Sequence, residues 1–300
     1  MDKKILEHYL DFGLYTNPGL YKEKLKLDLP NDIREIGLLV RKQIIHRVTL
    51  RHGNIGTNTD LRYGDMTKVP WYRQPEDDVM PTASAILAEL YRRDERGFVT
   101  DRVEENKLIL TCRFVSILMA SILKSKGIPT RVRSGFAPYF KVLDKTEKGK
   151  SIDHWINQYW NKKENRWVTI DIDASLEDYI PFDRYDVPKG VFDFSADTWL
   201  KIRSGKIDGS HFWNAGGFDG LVVVGWELFY DFHSLMNSEI IYLHAPEIVH
   251  LNNFPKLSES VLKEIDSLAR LMQKPDDNFK ELVKVWETNK KFRLLKGALL

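Results

Sequence analysis

The sequence predicts an α+β fold, and three features predict it. A mostly apolar run at 111–126 carries helix-end signals, two short strand-like segments at 153–160 and 166–171 flank a polar turn, and apolar residues recur at helical spacing on both sides of this centre. With 300 residues, 43% of them hydrophobic, the chain can bury a substantial core. No repeat and no low-complexity segment interrupts it, so one organised domain over 1–300 is expected, with a core at about 107–180 and mainly helical flanks.

Charge and composition exclude several classes of function. Lys and Arg total 45 against 43 Asp and Glu, and the formal charge of +2 gives no bulk electrostatic reason to bind nucleic acid or an anionic membrane. The opening MDKKILEHYLDFGLYTNPG has neither the apolar core nor the cleavage site of a signal peptide. The longest apolar run of the C-terminal half, 221–226, falls far short of the roughly 20 residues that span a bilayer. A single cysteine, Cys112, permits no internal disulfide and no multi-thiolate zinc site, which fits a reducing compartment. A cytoplasmic address is expected.

In the first region, up to about 106, residues 32–50 and 81–93 read as helices and 52–70 as a loop. After Pro181 comes a turn-rich stretch with Gly205, Gly209, Gly216, Gly217 and Gly220, followed by helical patterns at 221–233 and 257–272 that brace or cover the core. The charged run 141–150 reads as a surface loop placed just before His154.

The segment 111–126, TCRFVSILMASILKSK, is apolar over most of its circumference, as in a helix buried in the core. Thr111 is a suitable N-cap, Gly127 a suitable left-handed terminator, and Pro129 follows where a helix cannot continue. Cys112 therefore falls in the first turn, where backbone N–H groups and the positive end of the dipole favour a thiolate and can hold an oxyanion. A lone buried cysteine is ordinarily just a small apolar residue, so the downstream residues decide its meaning.

Val132, Ser134 and Phe136 alternate with Arg131, Arg133 and Gly135 in a strand pattern. DHWINQYW (153–160) and RWVTID (166–171) then form a hairpin about the turn at 161–165, bringing His154 and Asp171 to the same open end. Cysteine at a helix start, then histidine and a carboxylate on neighbouring strands, supplies the nucleophile, base and orienting acid that thiol acyl transfer needs. Taken singly, His154 is as readily a structural histidine and Asp171 a turn carboxylate; the order and setting make the case.

The run TCRFVSILMASILKSKGIPTRVRSGFAPYF, followed by DHWINQYWNKKENRWVTIDID, resembles the core of transglutaminase-like proteins, particularly a bacterial branch with a D-H-W-x-x-E-Y-W segment. The later GWELFYDFHSLMNSEIIYLHAPE is similar to the C-terminal helix region of that branch, with Asp231 and Glu239 on its acidic positions. The resemblance implies a cysteine-bearing helix packed on an antiparallel sheet, akin in plan to papain-like enzymes, with Cys112, His154 and Asp171 catalytic and no cofactor or metal. It also implies a peptide or small-molecule amide as substrate. Two departures stand out: Leu110 and Thr111 precede the cysteine where relatives often carry a small residue, and Gln158 replaces the motif glutamate. Asp153, next to His154 on an extended strand, should face the other way. Asp171 and Asp173 share a face by period two; the resemblance chooses Asp171, four residues after the matched Trp167.

Other classes fare less well. An arylamine acetyltransferase would carry Arg-Gly-Gly-x-Cys, absent around Cys112. A scaffold that keeps the fold without turnover would use aromatics such as Trp155, Tyr159, Trp160, Trp213 and Trp226, which are ordinarily core residues. His211, His233, His244 and His250 match no compact zinc spacing. The HFWNAGGFDG stretch with His211, Asn214 and Asp219 fits an ordinary surface loop better than a substrate loop.

Overall fold

A computed structural model describes residues 1–46, 69–73, 76–142, 151–173, 180–242 and 244–295. It mixes helix and sheet. The first elements are α1 (Lys3–Leu10), α2 (Lys22–Leu27), α3 (Ile33–Lys42), β1 (Ile44–His46), α4 (Ala83–Arg93), β2 (Leu108–Leu110) and α5 (Cys112–Ser125). Next come β3 (Thr130–Ala137), β4 (Ser151–Asn161), β5 (Arg166–Ile170), β6 (Asp193–Phe194), α6 (Ser195–Arg203) and β7 (Phe212–Trp213). The chain then forms α7 (Leu221–Leu235), α8 (Glu259–Met272) and α9 (Phe279–Thr288). Among the described residues no helix is long and apolar enough to cross a membrane.

The chain divides into two compact units. Tyr9–Thr130 and Ile156–Val187 make the unit that holds Cys112, here the cysteine unit; Met1–His8, Arg131–Trp155 and Pro188–Leu300 make the C-terminal unit.

In the cysteine unit, α2, α3 and α4 pack on α5, whose residues are all buried. Local signals set the ends of these helices. The Asp32 side chain accepts the Glu35 N–H at 3.0 Å, and Thr82 caps α4 by accepting from Ala85 at 3.3 Å. Gly127 takes φ +78° past the end of α5, a conformation that suits glycine. The helix expected over 32–50 stops at Lys42, because Ile44–His46 instead pairs in parallel with Leu108–Leu110. The expected loop at 52–70 lies, up to residue 68, outside the described residues, as does the charged run from 143 to 150.

Strand β2 is held by side chains as well as by β1. Glu76 accepts the Ile109 N–H at 2.5 Å and is itself gripped by Arg73 and Arg93. Burial raises the Glu76 carboxyl above the ordinary value, offset in part by its Ile109 and Arg73 hydrogen bonds. The approach to Cys112 is thus a fixed strand rather than a loose connection.

The expected hairpin is present: β4 and β5 pair antiparallel from Asn157↔Ile170 to Asn161↔Arg166. Asn165 takes φ 53° in the turn, where asparagine tolerates the left-handed region. Asp171 lies one residue past β5.

In the C-terminal unit, β3 pairs antiparallel with β6, and the start of β4 pairs in parallel with β7. Gly135 permits the first contact, since a Cβ there would come within 2.3 Å of the Asp193 carbonyl oxygen. Helix α7, expected at 221–233, runs to Leu235 and is almost wholly buried. It packs against α6, α6 against α8, and α8 against α9. Buried Trp199 donates Nε1–H to Asp266 at 2.7 Å, satisfying its polar edge.

His233 on α7 is a structural histidine. Its Nδ1 lies 2.7 Å from the Phe229 carbonyl oxygen, its Nε2 accepts the Leu294 N–H at 3.0 Å, and its ring meets Trp286 edge-on. Burial holds the imidazole down at about 4, against an ordinary 6.5. The folded unit therefore binds this proton less readily than the unfolded chain. Its contribution is fully present above the unfolded value and is lost as pH falls through the window toward 4, on the order of 3 kcal/mol in all. Thermal unfolding followed from pH 7 to pH 4 should show a falling Tm, and His233→Gln should flatten that dependence. A dependence unchanged by the substitution would assign the acid sensitivity elsewhere.

Candidate active site

Cys112 is the first residue of α5 and 8% exposed. Thr111 takes the N-cap conformation, but its side chain makes no capping bond, contrary to expectation. Its hydroxyl is buried without a hydrogen-bond partner, while its carbonyl accepts from Phe114 and Val115 at 3.0 and 3.2 Å. The helix-start donors are therefore not consumed by the Thr111 side chain. Arg113, wholly buried, adds a cation one residue after the thiol; its guanidinium lies over the Tyr15 ring at 5.1 Å and Nη1 donates to the Pro81 carbonyl at 3.3 Å.

His154 sits on β4 within the C-terminal unit, 1% exposed. Aromatic rings surround the imidazole, with Phe140 edge-on at 4.7 Å and Tyr139 and Phe192 each at 6.4 Å. Such walls keep water off the ring and hold its plane. Asp153, the neighbouring acid, turns to the glycine-rich loop and accepts the Ala215 N–H at 3.1 Å.

Asp171 is fully buried in the cysteine unit, together with Cys112. Its backbone N–H donates to the Arg184 carbonyl at 2.8 Å, and its Oδ1 accepts the Asp173 N–H at 3.0 Å. Asp173 is engaged differently: its Oδ2 lies 3.3 Å from Nε2 of His46, and its carbonyl accepts from Arg184 Nη1 at 2.6 Å. The two acids that share a face by periodicity are thus distinguished by a histidine that the sequence pattern places inside a helix. The β-branched run Ile44-Ile45 before His46 is the signal that could have marked a strand.

Other candidate residues have structural partners. Gln158 donates Nε2–H to Thr169 Oγ1 at 3.0 Å across the hairpin, so the departure from glutamate leaves a neutral cross-strand bond. Asn214 accepts the Phe218 N–H at 3.0 Å and closes its own surface turn. His250 lies 3.0 Å from the Ala245 carbonyl oxygen. Among the described residues, no three His, Cys, Asp or Glu side chains are grouped to hold a metal.

No family model matches the sequence, and no curated protein matches it. Among solved structures, a candidate cysteine protease from Cytophaga hutchinsonii is similar at 12% identity and a TM-score of 0.35, covering 66% of this chain and 50% of that one. The match spans half of that protein's length. A likeness this loose assigns neither fold nor activity.

Proposed function

We propose that the protein is a transglutaminase-like enzyme that carries out cysteine-dependent acyl transfer or hydrolysis at an amide bond. Cys112 attacks the acyl carbon, His154 moves the protons and Asp171 orients the imidazole. Water as acceptor of the acyl-enzyme makes the protein an amidase or peptidase; an amine makes it an amide-forming transferase.

The observation that carries this reading is that Cys112 opens the buried helix α5 in the same compact unit as the fully buried Asp171. Asn157 donates Nδ2–H to the Ser116 carbonyl at 2.9 Å, one turn after Cys112, and so ties β4 to α5 from the strand face opposite His154. The thiol–imidazole contact itself is the proposal. Its chemistry is favoured by the helix start, the buried Arg113 cation and the uncapped first turn, all of which stabilise a thiolate and an oxyanion.

Profiling against peptide and small-amide libraries tests the reading, and the two acids give it a sharper edge. Asp171→Asn should keep the fold and lower turnover by roughly 10²- to 10⁴-fold, through loss of the productive histidine orientation. Asp173→Asn should cost about tenfold or less, since the Asp173 N–H to Asp171 is a backbone bond that survives the substitution. Turnover under identical conditions, with circular dichroism to verify folding, decides between them: a larger loss from Asp173→Asn reverses the assignment.

A further inference from the structure

We infer that His46 is a positioning residue for the acid of this site, holding the 171–173 segment against the strand that leads into Cys112. The inference rests on the Cys112, His154 and Asp171 reading above. Every contact that carries it lies within the cysteine unit.

Parallel pairing of β1 with β2 sets His46 beside Leu110, two residues before Cys112. From that position its Nε2 reaches Asp173 Oδ2 at 3.3 Å, with the two side chains 11% and 6% exposed. The Asp173 N–H in turn donates to Asp171 Oδ1 at 3.0 Å. His46 thus acts on Asp171 through one side-chain contact and one backbone hydrogen bond. Arg184 braces the same segment at the Asp171 N–H and the Asp173 carbonyl, from the segment that follows. His46 joins the sheet before the nucleophile to the segment of the orienting acid. A catalytic carboxylate must be held within about 0.5 Å of its productive position, and such a brace supplies that precision.

The test is the pH dependence of Cys112 alkylation by iodoacetamide in the full chain, with the Tm of each variant recorded. Wild type should show a midpoint below the ordinary thiol value of about 8.5, and His154→Ala should raise it. His46→Gln and Asp173→Asn should each raise it by about half to one pH unit, because the imidazolium facing the thiolate is less well oriented. The double variant should shift no further than the larger single, since both remove one linkage. A purely structural role would lower Tm and leave the midpoint in place.

Unmoved midpoints in the folded variants, or shifts that add, overturn the inference while leaving the triad intact. If His46→Gln does not fold, Asp173→Asn, which preserves shape, decides the matter alone. An ordinary wild-type midpoint insensitive to His154→Ala defeats the triad reading and this inference together. A midpoint that ignores His154→Ala but rises sharply in His46→Gln makes His46 the base and overturns both.

Discussion

Cys112→Ala is expected to remove turnover entirely, lowering it by at least about 10³-fold on any amide the protein accepts, because no other thiol exists in the chain to form the acyl-enzyme. The fold should survive. Alanine is the best helix former, and the change removes one sulfur atom from a position at the start of α5, so the stability cost should stay near 1 kcal/mol. Turnover and a thermal melt measured on one preparation separate the two effects. Full activity in the variant would end the cysteine mechanism. Slow iodoacetamide labelling of the wild-type protein, at the rate of an ordinary buried thiol, would favour a binding protein that keeps the residues without the chemistry.

Asp231→Ala should produce the largest loss of stability. Asp231 is fully buried on α7 and accepts two hydrogen bonds from Arg133 on β3, Nε to Oδ1 at 2.7 Å and Nη2 to Oδ2 at 2.8 Å. It also takes the Ser134 N–H at 3.1 Å, while the Ser134 hydroxyl bonds Glu227 one turn earlier on the helix. Truncation takes this two-pronged carboxylate away from the Arg133 guanidinium, whose side chain is only 4% exposed. Breaking a buried pair from one side costs about 3–5 kcal/mol, which lowers Tm by about 10 °C in a unit of this size. Adding Arg133→Met should recover part of the loss by removing the uncompensated charge, and melts of wild type, single and double variants measure it. A shift under about 2 °C in the single variant would mean that water reaches Arg133 when the carboxylate is gone. The acidic position at Asp231 in the family resemblance thus has a structural use, clamping helix to strand.

How much of the fold is legible follows from how local each signal is. The ends of α5, the caps of α3 and α4, and the β4–β5 hairpin can be read from sequence because each depends on residues a few positions apart. Ser258 capping Val261 at the start of α8 belongs to the same class. Helix α9 is absent from the sequence expectations although Phe279, Leu282, Val283 and Trp286 carry a helical period; α6 is shorter and has a weaker pattern. For the site, the sequence supplies Cys112, His154 and Asp171 as chemical types in a suggestive order.

By itself, then, the sequence determined an α+β chain with a buried helix headed by its one cysteine, a hairpin bearing histidine and aspartate, and no charge excess to draw a polyanion. Tertiary structure alone decided that Ile44–His46 is a strand, that Asp173 lies beside His46, that Asp153 accepts from the glycine-rich loop, and that the Thr111 side chain leaves the first turn of α5 uncapped. The reason is physical. Local conformational preference reaches only a few residues, whereas strand pairing and buried polar contacts join segments far apart in the chain, and burial raises the cost of leaving such groups unpartnered.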